Sequence, residues 1–291
     1  MANSLREVKV RITSTKNTAQ ITKAMYMVSQ SKVKRAESNY KKYKDFMNNI
    51  SSCVGQIVKK AKEEYNHPLL TKREVKKTSY LLITSDRGLA GSYNSGLFKE
   101  FKEYIKTHHK SNDEFNVSSI GKKGFGFIEK EGYNTIQKNP TLVRDDVMFV
   151  DIHPLAKSII DSYLNEEIDR LVIIYNHYVN SITQEIVFKE LLPIEKIDEV
   201  ESSVDYIYET GIEETLNLVL PMYVQDIIYG IILDAKTSEH SARMNSMKNA
   251  TDNATEIIDK LQLLYNRARQ SVITTELIDI IGGANAIGGE S

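Results

Sequence analysis

Apolar and small side chains recur along residues 33–61 at Val33, Ala36, Tyr40, Tyr43, Met47, Ile50, Val54, Ile57 and Ala61. The steps alternate between three and four. That spacing keeps one stripe of a helix against a partner helix, as in a coiled-coil seam. Leu5, Val8, Ile12, Ala19, Met25 and Val28 extend the stripe less regularly toward the N-terminus. The C-terminal segment behaves alike. Met247, Ala250, Ala254, Ile257, Leu261, Leu264 and Ala268 alternate in the same way, and Leu216, Leu220, Val224, Ile227, Ile228, Ile231 and Ile232 form an apolar face before them. Pro221 is expected to kink this helix or to sit at its start. Gly282 and Gly283 are expected to stop it. At about 1.5 Å per residue, the two segments predict helices of roughly 90 and 105 Å, paired antiparallel with a C-terminal overhang of about 15 Å.

The middle of the chain changes period. Residues 80–84 (YLLIT) and 171–175 (LVIIY) are apolar runs of buried-strand length. NVSSIG (116–121) and EIVFKELLPI (185–194) are weaker strand candidates, and helices are expected near 95–107, 122–131 and 151–166. Such alternation predicts a small α/β domain with a mostly parallel sheet. The expected fold class is therefore α/β. A long antiparallel two-helix coiled coil from the N- and C-terminal segments joins a central small α/β, Rossmann-like domain. The expected divisions are 1–75, 76–210 and 211–291.

Composition narrows this picture little. The 291 residues are 41% hydrophobic and 26% charged, with a formal net charge of −1, as for an ordinary globular chain. Cys53 is the single cysteine, so no intramolecular disulfide or cysteine-based zinc site can form. It is expected to be a partly packed helix residue beside Val54. The N-terminus has no apolar h-region, so no signal peptide is expected. No run of about 18 apolar residues is evident, and a membrane span is not expected.

The stretch with most chemical interest is TSDRGLAGSYN (84–94), a strand-to-helix turn with Gly88 and Gly91. A dinucleotide fingerprint needs G-x-G-x-x-G, and a phosphate loop needs G-x-x-x-x-G-K-[ST]. Neither occurs, and GKKGFG (121–126) has the glycines in the wrong order. The plain reading is a turn that uses glycine for steric room. A nucleotide site and a contact surface are the alternatives. Ser85–Asp86 lacks the G-x-S-x-G context of a nucleophile and suits a turn. His108 and His109 lie in a charged stretch and are expected to face solvent rather than a metal.

Charge separates the two long helices. Residues 1–62 carry fourteen Lys or Arg against Glu7, Glu37 and Asp45, whereas 240–282 carries five of each sign. A solvated basic face is the plain reading. The sharper one is a basic rod that meets an acidic protein surface. Nucleic acid is disfavoured because no aromatic platform or known binding module accompanies the charge. The tail ELIDIIGGANAIGG (276–289) is mostly apolar and small, which suits either packing on its own domain or a sleeve supplied by other subunits.

Three long motifs carry a family resemblance. RITSTKNTAQITKAMYMVSQSKVKRA (11–36), TSDRGLAGSYN (84–94) and ARMNSMKNATDNATEIIDKLQLLYNRARQSVITTELIDIIGGANAI (242–287), in that order, resemble the γ subunit of bacterial F-type ATP synthases. Ala90 stands where many members have cysteine, and Ser92 where some have glycine. The resemblance implies the central rotor of the synthase, coupling ion-driven rotation of a membrane ring to ATP synthesis or hydrolysis at β-subunit sites. It implies no active site, no cofactor and no metal in this chain. The implied partners are the α and β subunits of the catalytic hexamer, the ε subunit and the membrane ring. No nucleic acid and no direct small-molecule substrate are expected. The implied location is the cytoplasmic face of the bacterial membrane, as a peripheral component. Residue by residue, shaft contacts map to Arg269 and Gln270, with Thr274 and Glu276 nearby. Lys23 and Met25 fall in the run passing acidic β loops. Tyr208 and Glu209 are foot contacts, and Asp86, Arg87, Gly88 and Gly91 shape the basal turn or meet a neighbouring subunit. A γ-like shaft of a specialised hydrolytic assembly and a nucleotide-dependent α/β enzyme remain the alternatives.

Overall fold

The computed structural model describes residues 2–61, 67–194 and 211–288. Two compact units share the chain: residues 1–28 with 244–291, and residues 29–243. Two helices run through both, α1 (Ala2–Ala61) and α5 (Ile212–Gly288).

The first unit is a pair of helical segments. On α1 the inward positions are Leu5, Val8, Ile12, Thr15, Ala19, Thr22 and Met25–Tyr26. On α5 they are Met247, Ala250, Thr251, Ala254, Ile258, Leu261, Tyr265, Ala268, Val272 and Thr275. The heptad is real, but threonines hold places in it, and Thr251 Oγ1 donates to Thr22 Oγ1 at 2.8 Å. Selecting apolar residues alone therefore shifts the phase. Ile257 and Leu264 are 48% and 53% exposed, and their neighbours Ile258 and Tyr265 face inward instead. Val28 is likewise 54% exposed while Ser29, which opens the second unit, is buried. The helix also runs through Gly282 and Gly283, which do not stop it.

The second unit is built on a four-stranded sheet of order β2-β1-β3-β4. Its strands are β1 (Thr78–Ile83), β2 (Phe115–Ile120), β3 (Arg170–Tyr178) and β4 (Gln184–Leu192). β1 pairs in parallel with β2 and β3, and β4 closes the edge as an antiparallel hairpin with β3. α2 (Tyr93–His108) lies in the crossover from β1 to β2, and α3 (Lys122–Glu131) follows β2. α4 (Phe149–Leu164) precedes β3. All residues of β1 and β2 are buried, which is why they read as continuous apolar runs without alternation.

Each face of the sheet carries its own core. Tyr80 and Leu82 of β1, with Val172 and Ile174 of β3, pack against Leu97 and Phe101 of α2 and Ile128 of α3. Leu81, Ile83, Leu171 and Ile173 point the other way, into a core completed by Ile152 and Ile159 of α4, Val54 and Val58 of α1, and Leu216, Leu220, Val224 and Ile228 of α5. So the lower parts of both long helices are structural members of the α/β unit. This explains a departure from expectation. α5 contains an 18-residue window of mean hydropathy 1.6, apolar enough to cross a membrane by composition. Its apolar residues here instead close one face of the sheet. Pro221 lies inside α5, as its tenth residue. Cys53 is exposed rather than partly buried.

His109 also differs from a solvent-facing loop residue. Its Nε2 lies 2.7 Å from the Tyr80 hydroxyl and its Nδ1 3.2 Å from Glu114 Oε2. His108 stacks on Tyr104. Among the described residues no group of His, Cys, Asp and Glu could hold a metal ion.

A tight backbone approach lies where β2 meets α3. Gly121 has φ +103, and a Cβ there would lie 2.2 Å from the Thr84 carbonyl oxygen. Gly126, in α3, would meet nothing within 4 Å. Gly121→Ala should therefore destabilise the chain by more than about 1 kcal/mol, while Gly126→Ala should stabilise it by roughly 0.5–1 kcal/mol. Urea unfolding midpoints of the two variants check this pair of opposite signs.

Candidate functional site

In an open α/β sheet, a ligand settles outside the carboxyl ends of the strands where the strand order reverses. Here that place lies between the ends of β1 and β3. The β1 turn is tied down by its own side chains. Thr84 Oγ1 donates to Ile120 O and accepts from the Gly124 amide at 2.9 Å. Asn94 accepts from the Ser85 amide and donates to Ser85 Oγ, which donates in turn to Arg87 O at 2.7 Å. Leu89 and Gly91 adopt positive φ of +62 and +58. Gly88 does not, and a Cβ on it would meet nothing within 4 Å, so steric room is not what glycine supplies there.

Asp86 of this turn caps α3, the helix after β2, rather than α2. Asp86 Oδ1 accepts the amide of Lys122, the first residue of α3, and Oδ2 accepts the amide of Val143, both at 2.9 Å. A carboxylate at a helix N-terminus is stabilised by the free amides and the helix dipole, as a phosphate would be.

The crevice is filled. α5 is buried all round from Asp234 to Ser241, and Arg243 is buried beyond them. Asp234 accepts from the Tyr178 amide at 3.0 Å and pairs with His177 Nδ1 at 2.5 Å, both on β3. The Tyr93 hydroxyl donates to Ala235 O, and Ser241 Oγ donates to Ser181 O in the β3–β4 turn. Arg243 reaches the β1 turn, donating to the carbonyls of Arg87 and Gly88 at 3.3 and 3.4 Å. Glu239 lies between Arg243 Nη2 at 2.8 Å and Lys236 Nζ at 2.9 Å. Asp145, from the segment before α4, pairs with Lys32 of α1 at 2.5 Å and approaches His240 Nε2 at 3.4 Å.

These groups titrate as their surroundings dictate. Burial alone would raise Glu239, but Lys236 and Arg243 outweigh it and hold the carboxyl low. Asp145 is also lowered, because the Lys32, His240 and Lys236 contacts overcome its burial. Burial raises Asp234 despite its hydrogen bonds from His177 and Tyr178. Burial pushes His240 down to about 4, with Lys236 and Arg243 adding to the effect against Glu239 and Asp145. His240 is thus neutral at neutral pH.

The shaft positions singled out in the sequence lie in the two-helix unit. Arg269 and Gln270 are exposed beside the seam residue Ala268, and Thr274 and Glu276 are exposed one turn further. Thr274 Oγ1 donates to Gln270 O at 2.9 Å. Lys23 is exposed and Met25 half-buried. Leu277, Ile278, Ile280 and Ile281 are more than half exposed, so the end of α5 is an uncovered apolar surface in this chain. Tyr208 and Glu209 lie outside the described residues. Sequence reasoning did not single out Glu239, Arg243, Asp145 and His240. For Glu239, His240 and Arg243 the one signal was the polar run SEHSAR (238–243) inside a long helix, and Asp145 left none.

The sequence model of the family described as ATP synthase matches residues 4–287. The chain belongs to the ATP synthase γ-subunit family. A γ-family chain is the central-stalk component of a rotary enzyme complex, and that complex is membrane-associated. Solved structures share the fold. A chain of the Euglena gracilis mitochondrial ATP synthase, in an OSCP/F1/c-ring structure in rotational state 3, aligns with a TM-score of 0.67 at 19% identity, covering 100% of this chain and 97% of its own. One from the Euglena gracilis rotor in rotational state 1 aligns at 0.62 and 19% identity, covering 94% and 100%. One from the Tetrahymena thermophila mitochondrial central stalk and c-ring aligns at 0.61 and 24% identity, covering 79% and 99%.

For this γ-family chain the buried His240 gives a pH prediction. Its folded pKa is depressed, so its contribution is complete above about 6.5 and is lost as pH falls toward about 4. The slope in that window approaches ~1.4 kcal/mol per pH unit from this group. Asp234, with a raised pKa, opposes it. Comparison of H240Q with the parent chain isolates the histidine. Denaturant unfolding between pH 7 and 4 should show a shallower loss of stability in the variant, and parallel curves would contradict the assignment.

Proposed function

We propose that this γ-family chain is the central rotor of a bacterial F-type ATP synthase, at the cytoplasmic face of the membrane, with no catalytic site of its own. The observation that carries the non-catalytic reading is the occupied crevice. Where an α/β enzyme would hold its ligand, α5 residues 234–243 stand instead, bonded to Tyr178, Tyr93 and the 87–88 carbonyls. Chemistry then belongs to other subunits of the complex, and this chain's task is mechanical.

In this reading residues 1–75 and 211–291 form the shaft and 76–210 the foot. The foot, with Tyr208 and Glu209 among its contacts, sits on the membrane ring together with the ε subunit. The shaft stands inside the hexamer of α and β subunits. The basic surface of α1, with Lys23 near Met25, faces acidic loops of β. Long-range attraction between opposite charges resists dissociation without demanding one register. Arg269, Gln270, Thr274 and Glu276 meet the hexamer, and the apolar end 277–281 turns within an apolar collar that covers it.

Arg269 and Gln270 lie beside the seam rather than on it. Replacing both with Leu should leave the helix pair folded, because surface substitutions away from packed positions typically shift stability by no more than about 0.5 kcal/mol. The yield of complex with α and β subunits, or ATP synthesis by membrane vesicles, should nevertheless fall. Unchanged yield and unchanged synthesis would remove these two residues from the proposal, and failure of the parent chain to co-purify with α and β would remove the rotor reading.

A further inference from the structure

The core on one sheet face holds α1 and α5 to the α/β unit by apolar burial. Burial is non-directional and sets little resistance to a small slide or twist along a helix axis. Directional contacts must supply that resistance. Tyr178 of β3 bonds both Glu37 of α1 and Asp234 of α5, and a longer set of ion pairs runs beside it. Lys32 of α1 pairs with Asp145 Oδ2 at 2.5 Å, and Asp145 Oδ1 lies 3.9 Å from Lys236 Nζ on α5. Lys236 pairs with Glu239, Glu239 with Arg243, and Arg243 with the carbonyls of the β1 turn. The segment that carries Asp145 is itself pinned. The Val143 amide donates to Asp86, and Val147 O accepts from Tyr229. The ion-pair chain therefore touches both long helices, the β1 turn and the segment before α4.

Its location is as informative as its members. The α/β unit ends at Ser29 and Arg243. Lys32 and Arg243 are thus in the last turns of α1 and α5 that belong to it. Glu239 and Lys236 are buried, where salt screens a pair poorly and where only well-matched geometry repays desolvation. A buried ion pair is a weak source of net stability, and fixing register is its best-attested use.

We propose that the Lys32–Asp145–Lys236–Glu239–Arg243 chain is the torsional joint that locks both long helices to the α/β unit, so that load applied to that unit reaches the helices without slip. The inference rests on the rotor reading above. In that reading these are positioning residues, which act through the helices they hold.

The test uses assembled synthase in sealed vesicles, with ATP-driven ion pumping followed until it stalls against its own gradient. E239Q leaves two buried cations facing a neutral amide. The stall gradient should fall severalfold, while ATP hydrolysis in gradient-free, permeabilised vesicles is retained. The double variant K236M/E239Q restores the parent's net charge at the cluster without restoring the ion pairs. It should recover thermal stability and assembly, and its stall gradient should stay low. If stall gradient and stability recover together, the cluster is only structural and the proposal fails. A parent-like stall gradient in E239Q also overturns it. Should E239Q not assemble, D145N breaks the same chain at a half-exposed carboxylate, and a parent-like stall gradient there overturns the proposal equally. Absence of pumping in the parent complex would instead count against the rotor reading.

Discussion

Everything in the α/β unit turns on one constraint: α5 must lie in the crevice at the ends of β1 and β3. A helix buried all round over residues 234–241 cannot be chosen from apolar side chains alone there, because the strand ends and turns present unpaired amides and carbonyls. Asp234, Ser241 and Arg243 meet those groups, on Tyr178, Ser181 and the 87–88 carbonyls. Glu239 then has to exist to neutralise Arg243 and Lys236. The polar run inside an apolar helix is the consequence of packing a helix where another protein of this architecture would place a ligand.

The same constraint turns a familiar enzyme framework to a mechanical use. Asp86 takes the amide at the start of α3 and so ties the β1 turn to the end of β2. The lower halves of α1 and α5 become part of the sheet's core through Val54, Val58, Leu220 and Val224. Beyond the α/β unit the helices pair through a seam that tolerates threonine, with Thr22 and Thr251 bonded across it. A seam of small and polar residues contributes less burial than a leucine seam, but a bonded pair at one level fixes its register.

Much of this was legible in the sequence, and the failures have physical causes. The strands at 80–84 and 171–175 and the helix at 122–131 stood out because burial on both faces or clear turn residues bounded them. The antiparallel β4 left no mark that distinguishes it from a parallel strand. The phase of the α5 seam was misread at 257 and 264, because doublets of apolar residues let a hydrophobic count slip by one position and Thr251 was not counted. Gly282 and Gly283 looked like a stop, yet glycine costs only about 1 kcal/mol in a helix interior and does not end one by itself. At the site, the turn was recognisable while the charges that meet it were not. Glu239 and Arg243 are some 150 residues from the β1 turn in sequence, and no local pattern links them to it.

The most direct test of a turning stalk is to watch it. A bead attached at Ser111, in the exposed segment after α2, should rotate in one direction when the hexamer is held on a surface and given Mg-ATP. Continuous unidirectional rotation of the α/β unit is the result this account predicts. Steady ATP hydrolysis by the same complexes with the bead stationary would contradict it.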